Sequence, residues 1–242
     1  MRPLPVMALG VVLLTASALV LAGCDTRIGT TTEQNTEQNT EQNTYTITEP
    51  VTSLKIDNPV GNTQIEGTDT NTIWVTEQLS YTGNPPQTNH AITTGGQLTL
   101  SYTCPGGFDV NACSVTYVVK VPRRLAVQID DKVGGTTLTG LAGQLTLTSS
   151  TGNIDATELT SSTVTARASV GTITLGFTAP PTTVDVQAQV GSVTVRLPAG
   201  TAYAIDTGSQ VGTVDVTVQR DPGSPHRITA RSQVGSVSVY NG

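Results

Sequence analysis

The chain has 242 residues, of which only 12% are charged and 4% are aromatic, while 36% are hydrophobic. Threonine is the most frequent residue, which favours short β-strands and disfavours helices, because β-branched side chains lose conformational freedom in a helix. The net charge of −6 argues against nucleic-acid binding, since that function depends on Lys and Arg to neutralise phosphates.

The first 23 residues have the pattern of a lipoprotein signal peptide. Arg2 precedes an apolar run over residues 6–21, which is shorter than the roughly 20 residues of a spanning helix. The run leads into the sequence LAGC, which resembles the bacterial lipobox and predicts cleavage before Cys24 and lipidation of its thiol. An ordinary signal peptide or an N-terminal anchor is the alternative. The predicted location is the outer face of the cytoplasmic membrane, at the cell surface.

A polar tether is predicted to follow. Residues 33–44 read EQNT three times over, and the segment 24–44 has too few apolar side chains to form a core. We therefore expect residues 24–44 to be a lipidated and disordered spacer. The folded domain is predicted to cover residues 45–242.

A short repeat organises that domain. An apolar residue or Thr, followed by Gly, recurs at intervals of 18 to 23 residues, with Ile or Val at alternate positions after it. The spaced glycines are Gly134, Gly152, Gly171, Gly191, Gly212 and Gly235. Such a period predicts an all-β fold, a single-chain β-solenoid (β-helix) of turns of about 20 residues. A sheet meander is the alternative.

Alignment on the glycine predicts which side chains face inward. Apolar columns lie two and four residues after the glycine. A column of small residues lies just before it and predicts a tight inner corner. Its members are Ser149, Ala168, Ala188, Ser209 and Ser232.

Three sequence motifs resemble those of a known bacterial family. They are the opening Asn58-Pro59-Val60-Gly61-Asn62, the middle Val121-Pro122-Arg123 and the serial Val-Gly-x-Val-x-Val units. They are similar to the putative-adhesin family built from β-strand repeats, a domain of unknown function that is common in actinobacterial lipoproteins. The resemblance covers about residues 45–242 and implies a single-chain β-helix at the cell surface.

Two cysteines bracket a short loop. Cys104 and Cys113 lie between stretches that alternate as strands, over residues 98–103 and 114–121, which predicts a hairpin with a bridged tip. In an extracytoplasmic protein a disulfide is the expected state of such a pair. A metal pair or a redox site is the alternative, but CxxC spacing is absent.

Four side chains are candidates for a binding surface. Phe108, in the bridged loop, is either a binding knob or folded back onto its hairpin. Trp74 is either covered by the hairpin around Cys104 or exposed as a carbohydrate-stacking site. Arg167 and Arg231 are predicted to stack on one outer face with Asp185 and Asp206 beside them. This face is either a solubility device or a surface for a polysaccharide or protein.

The sequence predicts a binding protein and not an enzyme. No nucleophile elbow, zinc-protease helix or nucleotide-binding loop occurs, and no metal or cofactor is expected. The favoured function is a surface-anchored lipoprotein for adhesion or for binding an envelope polysaccharide or protein, with the membrane reached through Cys24. One alternative is an envelope-stress accessory acting on a membrane sensor. Another is a polysaccharide-active β-helix enzyme.

The end of the predicted solenoid raises the question of capping. The strand ending near Val239 is expected to form the outermost turn, with no layer above it. Tyr240, the loop over residues 221–225 or a second molecule could then cover it. We expect a monomer with partial capping by the loop.

Overall fold

The computed structural model describes residues 37–107 and 112–242, and every regular element within them is a β-strand. The signal sequence and Cys24 lie outside the described residues. The strands form a 10-stranded sheet A and a 9-stranded sheet B. Inward side chains of both sheets form one buried hydrophobic core.

Sheet A holds ten strands. In chain order they are β1 (Asn39–Ile47), β3 (Thr63–Thr68), β4 (Ile73–Tyr81), β7 (Cys113–Pro122), β9 (Thr136–Thr139), β11 (Ile154–Leu159), β13 (Ile173–Phe177), β15 (Val193–Leu197), β17 (Val214–Val216) and β19 (Val237–Asn241). Their order across the sheet is β1-β4-β7-β3-β9-β11-β13-β15-β19-β17.

Sheet B holds the other nine strands. They are β2 (Ser53–Val60), β5 (Gln87–Ile92), β6 (Gln97–Thr103), β8 (Ala126–Val133), β10 (Leu145–Thr151), β12 (Thr163–Val170), β14 (Thr183–Val190), β16 (Ala204–Val211) and β18 (Arg227–Val234). Their order is β16-β18-β14-β12-β10-β8-β2-β6-β5. Pairing is parallel except for β1 with β4, β4 with β7 and β5 with β6.

The glycine repeat joins the two sheets. A strand of sheet B ends just before the repeat glycine, and the next strand, in sheet A, begins two residues after it, as at Gly152 between β10 and β11. We call each such pair of strands a layer. The predicted columns are confirmed by the register, since Ser149, Ala168 and Ala188 lie opposite one another in β10, β12 and β14.

The layers are not stacked in chain order. The pair β18–β19 lies between β14–β15 and β16–β17, so that β16–β17 is the outermost layer. The expectation that the last strand ends the stack is therefore wrong: Val239 is fully buried, and Val214, in β17, is 44% exposed. The loop after β17 pairs with Tyr203, just before β16 and in the same layer, and capping by residues 221–225 stays a prediction.

The predicted hairpin around the cysteines is also wrong. β6 belongs to sheet B and β7 to sheet A, although a disulfide does join Cys104 to Cys113, with 6.1 Å between their Cα atoms. The alternation of inward and outward residues is the same for a hairpin and for two strands in facing sheets. The disulfide therefore links the two sheets.

The predicted tether ends earlier than expected, because Asn39–Ile47 forms β1. The edge of β4 offers unpaired backbone groups, and the repeat of four residues keeps each residue type on one face of a strand. The Tyr81 hydroxyl donates to Glu41 over 2.8 Å, and the Tyr45 hydroxyl donates to the buried Glu77 over 2.7 Å. The last part of the EQNT repeat is thus a polar edge strand.

Candidate binding groove

A groove runs across five strands of sheet B, just before the repeat glycines. It crosses β10, β12, β14, β18 and β16 and encloses about 610 Å³. Pairing skips one residue in each of these strands. Ala168 and Val170, for example, pair with Ala188 and Val190, and the residue between does not pair. Beyond this unpaired position the alternation of inward and outward side chains is interrupted, and the unpaired residues line the groove.

Small side chains form the floor of the groove. They are the predicted corner column, Ser149, Ala168, Ala188, Ser232 and Ser209. Three serine hydroxyls donate to carbonyl oxygens of the repeat glycines. Ser232 reaches Gly191 over 2.8 Å and Ser209 reaches Gly235 over 2.7 Å. Four of the five residues are at most 4% exposed, so the floor offers a ligand little side-chain surface.

One wall carries the predicted arginines. Register places Thr148, Arg167, Gln187, Arg231 and Gly208 in one row. Arg167 Nη2 donates to Asp185 Oδ2 over 2.8 Å, and Arg231 Nη2 donates to Asp206 Oδ2 over 2.6 Å. In both pairs the carboxylate belongs to a neighbouring strand, so the stacking predicted from the sequence is confirmed. Each pair is solvent-exposed and contributes little to stability.

The other wall is a row of polar side chains beside a row of valines. Ser169, Gln189, Gln233 and Gln210 occupy the unpaired position. The next residue in each strand is an exposed valine, and sequence reasoning gave these no role. They are Val170, Val190, Val234 and Val211, which are 48–64% exposed. Strand periodicity predicts that these valines face inward, and their exposure follows an interruption of pairing that only the neighbouring strands reveal.

The other candidate residues lie away from this groove. Trp74 is half-buried on the outer face of sheet A, between Thr46 and Lys120. The disulfide lies near the far end of β4, where Cys113 pairs with Tyr81, so it does not cover Trp74. Phe108 is outside the described residues. The binding role of Trp74, Phe108 and the arginines stays a prediction.

A buried polar cluster around Asp131 was missed by sequence reasoning. Asp131 is fully buried and accepts hydrogen bonds from Thr136 and, over 3.0 Å, from Thr63. Asn58, its neighbour in β2, donates to the Thr63 hydroxyl over 3.2 Å. Burial raises the pKa of Asp131 to about 6, and the two threonine hydroxyls oppose this shift. Asn58 and Asp131 occupy the small-residue column, and Thr63 and Thr136 occupy the apolar column two residues after the glycine. The cluster is recognisable in the sequence only once the layers are aligned.

Two absences concern the described part of the chain alone. Over residues 37–107 and 112–242, no group of three or more His, Cys, Asp or Glu side chains is arranged to hold a metal ion. The same ranges contain no helix long and apolar enough to cross a membrane.

Comparison with solved structures shows that the fold has precedents. A protein described as a putative cell adhesion protein, from Clostridium sporogenes, matches with a TM-score of 0.50 and 14% identity over 84% of this chain and 100% of that one. A putative adhesin from Bacteroides fragilis matches with a TM-score of 0.49 and 15% identity, over 84% and 98%. At such identities the likeness concerns the fold. No family model and no curated protein matches the chain.

Proposed function

We propose that this protein is a non-catalytic adhesion protein of the cell surface, anchored through a lipid on Cys24. Its main support is the shared register of the layers, which repeats one set of outward side chains along a continuous groove. A repeated surface can hold a long ligand at many points. The name given to the Clostridium sporogenes structure points to the same class of function.

The layers are proposed to be the turns of a β-solenoid. Strands of sheets A and B alternate along most of the chain, and equivalent glycines lie against one another. Each turn would bury its inward columns on the next, as repeat proteins do.

The non-catalytic assignment rests on the groove lining. Among the described residues, the side chains that line it include no carboxylate, imidazole or thiol, the groups that most often act in general acid–base or nucleophilic catalysis. Its charged groups are two arginines already paired with aspartates. Such a surface can bind and orient a ligand.

Adhesion is tested with cells that display the full chain. We expect these cells to attach to immobilised cell-envelope polysaccharide or envelope protein more strongly than cells of the same host that lack the chain. Equal attachment to both fractions by displaying and non-displaying cells would overturn the adhesion proposal.

Anchoring is tested separately by metabolic labelling with palmitate. The wild-type chain is expected to carry label and to stay with the membrane, whereas Cys24→Ala is expected to lose both properties. Labelling that persists in Cys24→Ala would contradict the lipid anchor. Cells that carry this variant should also lose the attachment conferred by the wild-type chain.

A further inference from the structure

We propose that the groove of sheet B binds an uncharged, extended glycan chain, with one sugar on each layer. This inference rests on the proposed adhesion function and names its ligand class. It is derived from the spacing, the hydrogen-bonding groups and the charge balance of the groove.

The spacing of the layers matches a glycan. Neighbouring strands in a sheet lie about 4.8 Å apart, so equivalent side chains of successive layers recur at that interval. An extended β-1,4-linked glycan advances by nearly the same length per sugar and turns each sugar over relative to the one before. One sugar would therefore lie on each layer, and alternate sugars would meet equivalent groups in the same orientation, two layers apart. An extended peptide advances about 3.3 Å per residue and presents like-facing side chains about twice as far apart, and neither interval matches the layers.

Three adjacent layers supply equivalent subsites. Gln189, Gln233 and Gln210 lie side by side in β14, β18 and β16. No hydrogen bond from these three amides occurs within the described residues. A primary amide both donates and accepts, which suits the hydroxyl and acetamido groups of a sugar. All three amides line the groove, so the row offers one donor and acceptor pair to each layer.

The opposite wall adds donors without adding net charge. Arg167 and Arg231 lie two layers apart, or about 9.6 Å. Each guanidinium has five N–H donors and gives one, on Nη2, to its aspartate, so donors remain for a ligand. Because Asp185 and Asp206 balance the two arginines, the wall attracts hydroxyl groups and does not favour a polyanion.

The test uses the purified full chain and defined oligosaccharides. The probes are β-1,4-linked N-acetylglucosamine oligomers of two to six sugars, titrated by calorimetry. Since the groove crosses five strands, we expect the dissociation constant to fall with each added sugar up to the pentamer and then to level off. An absence of binding, or an affinity independent of length, would overturn the inference.

Substitutions of groove residues test whether the oligosaccharide binds there. Gln189→Ala with Gln233→Ala removes two neighbouring amides and should weaken pentamer binding about tenfold or more, because each lost hydrogen bond contributes about 1 kcal/mol. Gln128→Ala, an exposed residue of β8 outside the groove, is the matched control and should bind as the wild type does. An unchanged affinity in the double variant would place the sugar elsewhere and contradict the inference.

The same binding experiments also distinguish other classes of ligand. Tighter binding of a galacturonate pentamer than of the neutral pentamer would overturn the charge argument. An envelope protein retained by the wild-type chain and lost by the double variant, with no oligosaccharide bound, would replace the glycan with a protein ligand. If cells that display the chain still attach in either case, the adhesion proposal is retained and only the glycan inference is wrong.

Discussion

The repeat glycine is held against the backbone of the neighbouring layer. A Cβ atom added to Gly152 would lie 1.8 Å from the carbonyl oxygen of Gly134, and Gly152 has a φ of +150°. A side chain is excluded both by this contact and by the backbone conformation. The same close approach recurs from layer to layer, so the glycine sets how closely the layers stack.

Gly152→Ala is therefore expected to destabilise the protein by at least about 3 kcal/mol, since the overlap involves backbone atoms that cannot move independently. Gly176→Ala is the matched control. Its Cβ would lie 3.8 Å from the nearest backbone atoms, at ordinary contact distance. Urea unfolding measures both. Equal stability of the two variants would contradict the close stacking of the glycines.

The buried Asp131 makes stability depend on pH. Its pKa is raised on folding, from 3.8 to about 6, so the folded chain holds the proton more tightly than the unfolded chain. The resulting stabilisation is fully present below about pH 4, is lost as the pH rises toward 6, and is constant above that. The shift corresponds to about 3 kcal/mol.

Asp131→Asn, which stays neutral, should remove this dependence. The free energy of unfolding of the variant minus that of the wild type is expected to rise by about 2.4 kcal/mol between pH 4 and pH 7. Urea titrations across this range measure it, and Asp155→Asn controls for the removal of one exposed charge. A difference that stays constant with pH would show that Asp131 does not titrate as described.

At the scale of elements, the order of the layers is the main departure from the sequence. β18 pairs with both β14 and β16, and β19 with both β15 and β17. The final strand pair is thus inserted into the stack. Val237 and Val214 occupy equivalent, paired positions, but Val237 is fully buried and Val214 is 44% exposed.

These two valines test the layer order. Val237→Lys should cost at least about 3 kcal/mol, because it buries an unpaired charge, while Val214→Lys should change stability by less than about 1 kcal/mol. Thermal or urea unfolding distinguishes them. If Val214→Lys is the more damaging substitution, then β16–β17 is not the outermost layer.

The periodic features of the fold were predictable from the sequence, whereas the order of the layers and the groove were not. Inward columns such as Ser149 with Ala168, and the outward row containing Arg167, follow from alternation and from the glycine spacing. Layer order does not follow, because all layers share the same columns and exchanging two of them leaves the packing pattern unchanged. The groove does not follow either, because it lies along the unpaired positions next to Val170 and its equivalents, and these are set by the pairing of neighbouring strands.

At the scale of the whole molecule, the disulfide joins the two sheets near the end where β1 and β5 lie. Removing it by Cys104→Ala with Cys113→Ala should lower the free energy of unfolding by about 2.7 kcal/mol, on the chain-entropy model for a ten-residue loop. Reduction of the wild type should have a similar effect in urea unfolding. Variants as stable as the oxidised wild type would show that the link contributes nothing.

The inserted layer also has a consequence for synthesis. The ribosome releases β16 and β17 before β18 and β19, yet β18 and β19 are the strands next to β14 and β15 in the folded protein. Until they emerge, the growing chain exposes two parallel strand edges that only β18 and β19 can cover, and such edges are prone to aggregation. A chain truncated between β17 and β18 would thus lack an internal layer, a defect more harmful than the loss of an outermost one.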